Sequence, residues 1–298
     1  MKKLLAIILI ALLVLSFAAC GEEEETDNND LENAVKEEMT LKANAENTAS
    51  CFITYDVNEE GTYEITGINH DGVSPLHIKI SAEELAKLDR EITGIADEAF
   101  KSCKNLVSIE MPETITYIGK AAFYGCEKLT SIVIPKSVTL VKNNAFEKCV
   151  ALTAVTAQEG EVEINDEKVM SGLVTIEANA FKDCAALTAV SLPATTLKTI
   201  SDGAFMNCKA LTEFTVSTSV KTIGSGVFMN CEKLMKLIAL GNPDKIADPE
   251  NADRDYLFSS NMNVTMTVTE GSTLEAYAIA NGINYLLDGA DDPYYEDV

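Results

Sequence analysis

A seven-residue phrase, Phe-x-x-Cys-x-x-Leu, occurs six times in this chain. Its copies are Phe100/Cys103/Leu106, Phe123/Cys126/Leu129, Phe146/Cys149/Leu152, Phe181/Cys184/Leu187, Phe205/Cys208/Leu211 and Phe228/Cys231/Leu234. Successive phenylalanines are 23, 23, 35, 24 and 23 residues apart. A unit of this size cannot bury a core by itself, so the chain must fold by stacking units into a solenoid.

Other apolar positions keep the same register. Five residues before each Phe stands Ile95, Ile118, Val141, Ile176, Ile200 or Ile223, and just before it Ala99, Ala122, Ala145, Ala180, Ala204 or Val227. The three-residue spacing of Phe, Cys and Leu predicts a short helical or 3-10 turn with one face inward. The alternation that follows, as in Leu129-x-x-Ile132-x-Ile134, predicts a half-buried strand. Pro112, Pro135 and Pro193 then end strand pairing for want of an N–H. Each coil reads as turn, strand, corner and second short strand. The long step carries about twelve extra residues within Ala157–Gly172, at a corner, where insertions are tolerated. The expected fold class is an α/β repeat solenoid with a small β-rich N-terminal cap and an α+β C-terminal cap.

Motifs such as Ile118-Gly-Lys-Ala-Ala-Phe-Tyr-Gly-Cys-Glu-Lys-Leu-Thr-Ser-Ile-Val-Ile-Pro135 resemble the leucine-rich repeats of the BspA-like family of bacterial surface proteins. The resemblance covers residues 95–240. It implies a right-handed leucine-rich-repeat solenoid with strands on its concave side, exposed at the cell surface, and a role in adhesion to host or neighbouring-cell proteins.

The first twenty residues add an address. Lys2 and Lys3 precede the apolar stretch Leu4–Ala19, too short for a membrane span, and Ala18-Ala19-Cys20 resembles a bacterial lipobox. Residues 1–19 are expected to be a lipoprotein signal peptide, with Cys20 as the lipid attachment site and two acyl chains giving stable anchoring. An ordinary secretory signal is the alternative. Residues 20–49, with Glu22–Glu25 and Asp27–Asp30, read as an acidic tether, ordered in part by the helical pattern of Leu31–Lys42. The net charge of −24 excludes a general nucleic-acid or anionic-lipid binder, whose affinity comes from Lys and Arg. The membrane is therefore met through the lipid anchor only.

Both ends of a solenoid must be covered. In residues 50–94, Cys51–Val57 and Tyr63–Ile68 predict a hairpin, Leu76-x-Ile78-x-Ile80 a third strand, and the capping box Ser81-x-x-Glu84 a helix to about Asp89. In residues 241–287, Gly241–Ser260 reads as a long loop and Val264-x-Met266-x-Val268 as a strand. Ser272-x-x-Glu275 opens a helix that Asn281-Gly282 stops, and Tyr285–Leu287 closes the unit. An acidic tail, 288–298, follows.

Chemistry is sparse. The six repeat cysteines read as a buried ladder of reduced thiols, since free Cys packs as a small hydrophobe; disulfides between coils are the competing reading. Cys51 reads as a core residue of the N-terminal cap. There is no paired C-x-x-C, and the only histidines are His70 and His77, beside Asp71 and Ser74. No G-x-S-x-G, Walker A or H-E-x-x-H motif occurs. Neither enzyme activity, cofactor nor metal site is expected.

The candidate binding face lies between the inward strand residues: Ser108/Glu110, Ser131/Val133, Ala154/Thr156, Ala189/Ser191, Glu213/Thr215 and Lys236/Ile238. These are small or polar, and the chain has no Trp, so the face reads as broad and shallow. Extra affinity would come from the Gln158–Ser171 insertion, with a hairpin over Glu161–Met170, or from Gly241–Ser260. The expected function is protein binding from the cell envelope, in adhesion. The alternative is a structural envelope protein with no host ligand.

Overall fold

The computed structural model describes residues 37–41, 51–69, 75–86, 88, 91–164, 167–246, 257–258 and 263–289. Two parallel ladders of strands run its length. The ladder of longer strands is divided into three parallel sheets: Leu76–Lys79 with Leu106–Glu110; Ser131–Ile134, Ala154–Ala157 and Ala189–Ser191; and Glu213–Val216, Lys236–Ala239, Thr265–Val268 and Asn284–Leu287. The other ladder is one ten-stranded sheet whose repeat members are mostly two residues long, such as Tyr117–Ile118 and Thr175–Ile176. Each coil therefore has the expected sequence of turn, strand, corner and second strand.

The turns explain the repeated phrase. Cys126 N–H donates to the Phe123 carbonyl and Leu129 N–H to that of Cys126, three residues back in each case. These 3-10-type bonds never extend into a helix, because two positions per coil have left-handed backbone. Glu98, Ala121, Asn144 and Asn179 take φ of 52–61° two residues before Phe, and Gly203 and Gly226 occupy the same place. Just before Cys, Ser102, Gly125, Lys148, Asp183, Asn207 and Asn230 do likewise. Left-handed geometry interrupts a right-handed helix and turns each Phe and Cys inward.

Between coils, Phe N–H donates to the carbonyl of the residue before the next Phe: Phe100 to Ala122 and Phe123 to Ala145, both at 2.7 Å. This backbone approach accounts for the column of small Ala and Val residues. The phenylalanines form a buried stack, with centroids 5.0 Å apart for Phe100–Phe123 and Phe123–Phe146. That spacing matches the separation of paired strands, so the rings and the ladders share one repeat distance.

Four features differ from the sequence expectation. First, Leu76–Lys79 pairs in parallel with Leu106–Glu110, opening the long-strand ladder instead of joining the hairpin as a third strand. Leu76 and Ile78 are buried with Leu106 and Ile109, which fixes that choice. Second, the helix after Ser81 is α1, Ala82–Leu85, shorter than expected, and the Ser81 hydroxyl accepts from Glu83 N–H at 3.2 Å. Third, Glu37–Leu41, within the acidic segment read as helical, is a strand antiparallel to Cys51–Val57. A short isolated helix is marginal in water, whereas an open sheet edge offers it pairing.

Fourth, Gly241–Ser260 is more than a loop. Lys245–Ile246 pairs with Thr222–Ile223 and extends the ten-stranded sheet. Leu257 and Phe258 are buried, Phe228 N–H donates to the Leu257 carbonyl, and Phe258 stacks on Phe228 at 5.8 Å. Lys245–Ile246, Leu257 and Phe258 thus repeat, in degenerate form, the strand and turn positions of a further coil.

The caps otherwise follow their sequence signals. Cys51–Val57 and Tyr63–Asn69 form an antiparallel hairpin, and the latter pairs in parallel with Ile92–Ile95. At the far end helix α2, Thr273–Asn281, begins at Ser272, whose hydroxyl accepts from Glu275 N–H, and stops at Gly282 with φ 64°. Asn284–Leu287 pairs with Thr265–Val268. Cys20, the signal segment, His70, Asp71 and residues 290–298 lie outside the described residues. Among those described, no helix is long and apolar enough to cross a membrane.

Candidate interaction face

The long-strand ladder brings the residues singled out from the sequence into two parallel columns. Ser131, Ala154 and Ala189 are directly paired, as are Val133, Thr156 and Ser191. In the next sheet Glu213 pairs with Lys236 and Thr215 with Ile238. Ser108 and Glu110 pair with His77 and Lys79 of the N-terminal cap, while Lys236 and Ile238 pair with Thr265 and Thr267 of the C-terminal cap. The columns therefore continue into both caps, which sequence reading missed because the caps lack the repeated phrase.

Alternation places these columns outward. Ile132, Val155, Phe214 and Leu237 are buried between residues that are exposed or half-buried. The middle of the face is small and nearly neutral. Charge gathers towards its ends, where Lys79 and Glu110 pair at 2.9 Å and Glu213 stands opposite Lys236. His77 Nδ1 lies 2.9 Å from Ser108 Oγ across the first two strands. Thr153 Oγ1 donates to the Thr130 carbonyl at 2.9 Å and Thr188 to that of Thr153 at 3.2 Å, stitching one margin of the ladder. A face of this kind offers area and strand-spaced polar groups.

The cysteines form the expected ladder. All six repeat cysteines are buried thiols outside any disulfide. Cys126 Sγ donates to Phe100 O, Cys149 to Phe123 O, Cys184 to Phe146 O, Cys208 to Phe181 O and Cys231 to Phe205 O, each at 3.2–3.3 Å. Each of these five thiols thus donates to a carbonyl of the preceding coil. Burial pushes their pKa values up, to about 12 for Cys231 and well above the ordinary thiol value for Cys149, Cys184 and Cys208. Such thiols are poor nucleophiles. Among the described residues no three His, Cys, Asp or Glu side chains converge as a metal site requires.

A cleft of about 840 Å³ lies where the N-terminal hairpin overhangs the short-strand sheet. Tyr117 crosses its floor, lying over Gly94, where any Cβ would meet the ring at 2.2 Å. Its hydroxyl donates to Glu64 and accepts from Asn58 Nδ2 at 3.3 Å. Lys142 Nζ sits 4.9 Å from the ring centre and 3.6 Å from Asp97. Burial, then the bond to Glu64, raises the Tyr117 pKa to about 12. Sequence reading missed this cluster, and the available signal was a departure: Leu140, Thr175, Thr199 and Thr222 occupy the place of Tyr117 in later coils.

Comparison with known proteins agrees with this architecture. The family model described as "BspA type Leucine rich repeat region" matches residues 82–169 and 158–279, with six copies. Among solved structures, a leucine-rich-repeat protein of T. pallidum is 27% identical with a TM-score of 0.52, the match covering 65% of this chain and 82% of that one. A leucine-rich-repeat protein of Bacteroides ovatus is 24% identical with a TM-score of 0.44, covering 67% of this chain and 52% of the other. No curated protein matches. Repeats of this family are generally surface protein-interaction modules and typically non-enzymatic. The stacked turns, thiol ladder and paired ladders of strands are thus those of a chain that belongs to the BspA-type leucine-rich-repeat family.

Proposed function

We propose that this chain is displayed outside the cytoplasm, anchored through a lipid on Cys20, and that it binds partner proteins through the long-strand face in adhesion to host or neighbouring cells. The observation that carries the reading is the face itself. Two columns of exposed or half-buried residues run in register within each of three successive sheets: His77/Lys79 onto Ser108/Glu110, Ser131/Val133 through Ala154/Thr156 to Ala189/Ser191, and Glu213/Thr215 through Lys236/Ile238 to Thr265/Thr267. Small residues at Ser131, Ala154 and Ala189 let a partner approach the backbone closely over several coils. The affinity expected of each contact is small, so binding depends on the number of coils engaged.

The test has two arms. Protease shaving of intact cells, followed by mass spectrometry, should release peptides of residues 95–240 without lysis. Beads carrying the purified chain should bind host or neighbouring cells, and the double variant Val133→Arg, Thr156→Arg should lose most of that binding. Release only after the envelope is opened would overturn surface display and favour a structural envelope role. Undiminished binding by the double variant would overturn the assignment of the face.

A further inference from the structure

The insertion in the third coil is a built projection. Glu159–Ile164 and Glu167–Gly172 form an antiparallel ribbon, paired from Glu159↔Gly172 to Ile164↔Glu167. Its base is held by the coils on either side. The Glu159 carboxylate accepts from Ala194 N–H and Thr195 N–H, both at 3.0 Å, and from the Thr195 hydroxyl at 2.7 Å. Burial raises the Glu159 pKa, but these bonds outweigh it and leave the group below the usual carboxylate range, so the clamp is ionised. From the other side Ser171 Oγ donates to the Lys136 carbonyl at 2.8 Å, and Lys136 Nζ donates to the Glu161 carbonyl at 3.1 Å. A tolerated surface excursion needs no such bracing from two neighbours.

The ribbon is a sheet of two strands only. Lys136 caps the edge of Glu159–Ile164 near its base. The edge of Glu167–Gly172 has no strand beside it among the described residues, and Val169 and Met170 on it are 38% and 49% exposed. An unpaired edge of this kind is a template for another strand. The two faces differ. Val162 pairs with Val169 on one, while Glu161 pairs with Met170 and Glu163 with Lys168 on the other. In sequence, the insertion from Glu159 to Gly172 carries five acidic residues against Lys168 alone.

We infer that the open edge of Glu167–Gly172 takes up an extended segment of a partner protein as a third strand, one that alternates basic and apolar residues. Main-chain bonds to the edge supply affinity, the apolar residues extend the Val162–Val169 face, and the basic residues extend the Glu161–Met170 face. A second copy of this chain is disfavoured as the occupant, because the ribbon is acidic and the chain carries −24. The inference rests on the protein-binding reading above and names the chemistry of one partner.

The probe is an acetylated, amidated peptide alternating Lys and Val, titrated against the full chain. Its control has the same sequence with alternate amides N-methylated, which removes strand donors and keeps the charge. Unmodified peptide should bind saturably, with at least about tenfold weaker binding for the methylated control and for Met170→Pro. Equal binding of both peptides, or no saturable binding of either, would overturn the strand-addition proposal. Cell binding that survives Met170→Pro but not Val133→Arg, Thr156→Arg would also overturn it, leaving the protein-binding reading intact. Absence of cell binding by the unmodified chain would count against that broader reading instead.

Discussion

From Phe100 to Phe205 the buried rings stack at 5.0–5.3 Å with planes within 5° of one another. From Phe205 onward the spacing widens to 6.2 and 5.8 Å and the tilt grows to 12° and 17°. The difference has a local cause. The strand position filled by Ile132, Val155 and Val190 in earlier coils holds Phe214 in the fifth, and its ring lies 5.1 Å from Phe205 and 4.7 Å from Phe228 at steep angles. A third ring inserted beside two others forces them apart. Coil spacing is therefore set jointly by the turn and the strand, and uniform stacking requires a small branched residue at the second position.

Substitutions on either side of this boundary should behave differently. Phe146 is fully buried between two parallel rings, so Phe146→Ala should cost about 3–5 kcal/mol. Because each coil contacts only its neighbours, the loss should also uncouple the stack and split the urea transition in two. Phe214→Ile restores the residue type of the regular coils and should cost only about 1 kcal/mol, since ring loss is offset by closer stacking of Phe205 on Phe228. If Phe146→Ala unfolds in one transition with a cost under 1 kcal/mol, the ring stack is not what joins the coils.

What the sequence made legible follows from the same logic. The coil register, the strand positions and the outward columns could be read because Phe, Cys and Leu repeat with their neighbours. The seventh rung at Phe258 was hidden, since Asn261 stands where Cys would and the step from Phe228 lengthens to 30 residues. The Glu37–Leu41 strand was hidden because its pairing partner is an edge that only the folded hairpin creates. The Tyr117 cleft escaped notice because a search for repeated residues passes over the positions that break the repeat.

That cleft belongs to the regular half and gives it a distinct response to alkali. Burial, then the bond to Glu64, raises the Tyr117 pKa from 10.0 to about 12. The folded protein therefore holds a proton that the unfolded chain releases, so this contribution is complete below pH 10 and is lost as pH rises to about 12. The buried thiols act in the same direction from about pH 9, their ordinary value, and Cys231 titrates near 12. Thr occupies the Tyr117 position in the later coils, and Tyr117→Thr should leave the thiol-driven decline but make the fall between pH 10 and 12 shallower. Urea midpoints at pH 9, 10 and 11.5 measure this, and identical slopes for both proteins would remove Tyr117 from the account.

The two halves also differ in how they pay for the left-handed turn before each Phe. Gly203 and Gly226 take φ of 61° and 62° in the irregular half, where Glu98 holds 61° in the first coil. A non-glycine residue in this region loses about 1–2 kcal/mol, while glycine gives back roughly 0.5–1 kcal/mol through unfolded-state entropy. Glu98 is exposed, and its ion pair with Lys101 at 2.7 Å is a surface pair of small worth. Glu98→Gly should therefore stabilise the chain by about 0.5 kcal/mol. The reverse change, Gly203→Ala, should destabilise by about 1 kcal/mol or more, because its Cβ would also meet Asn179 Oδ1 at 2.6 Å. Opposite signs at one repeat position, measured by urea unfolding, would locate the strain in the backbone of the first coils; a loss in both variants would place it in side-chain contacts of Glu98 instead.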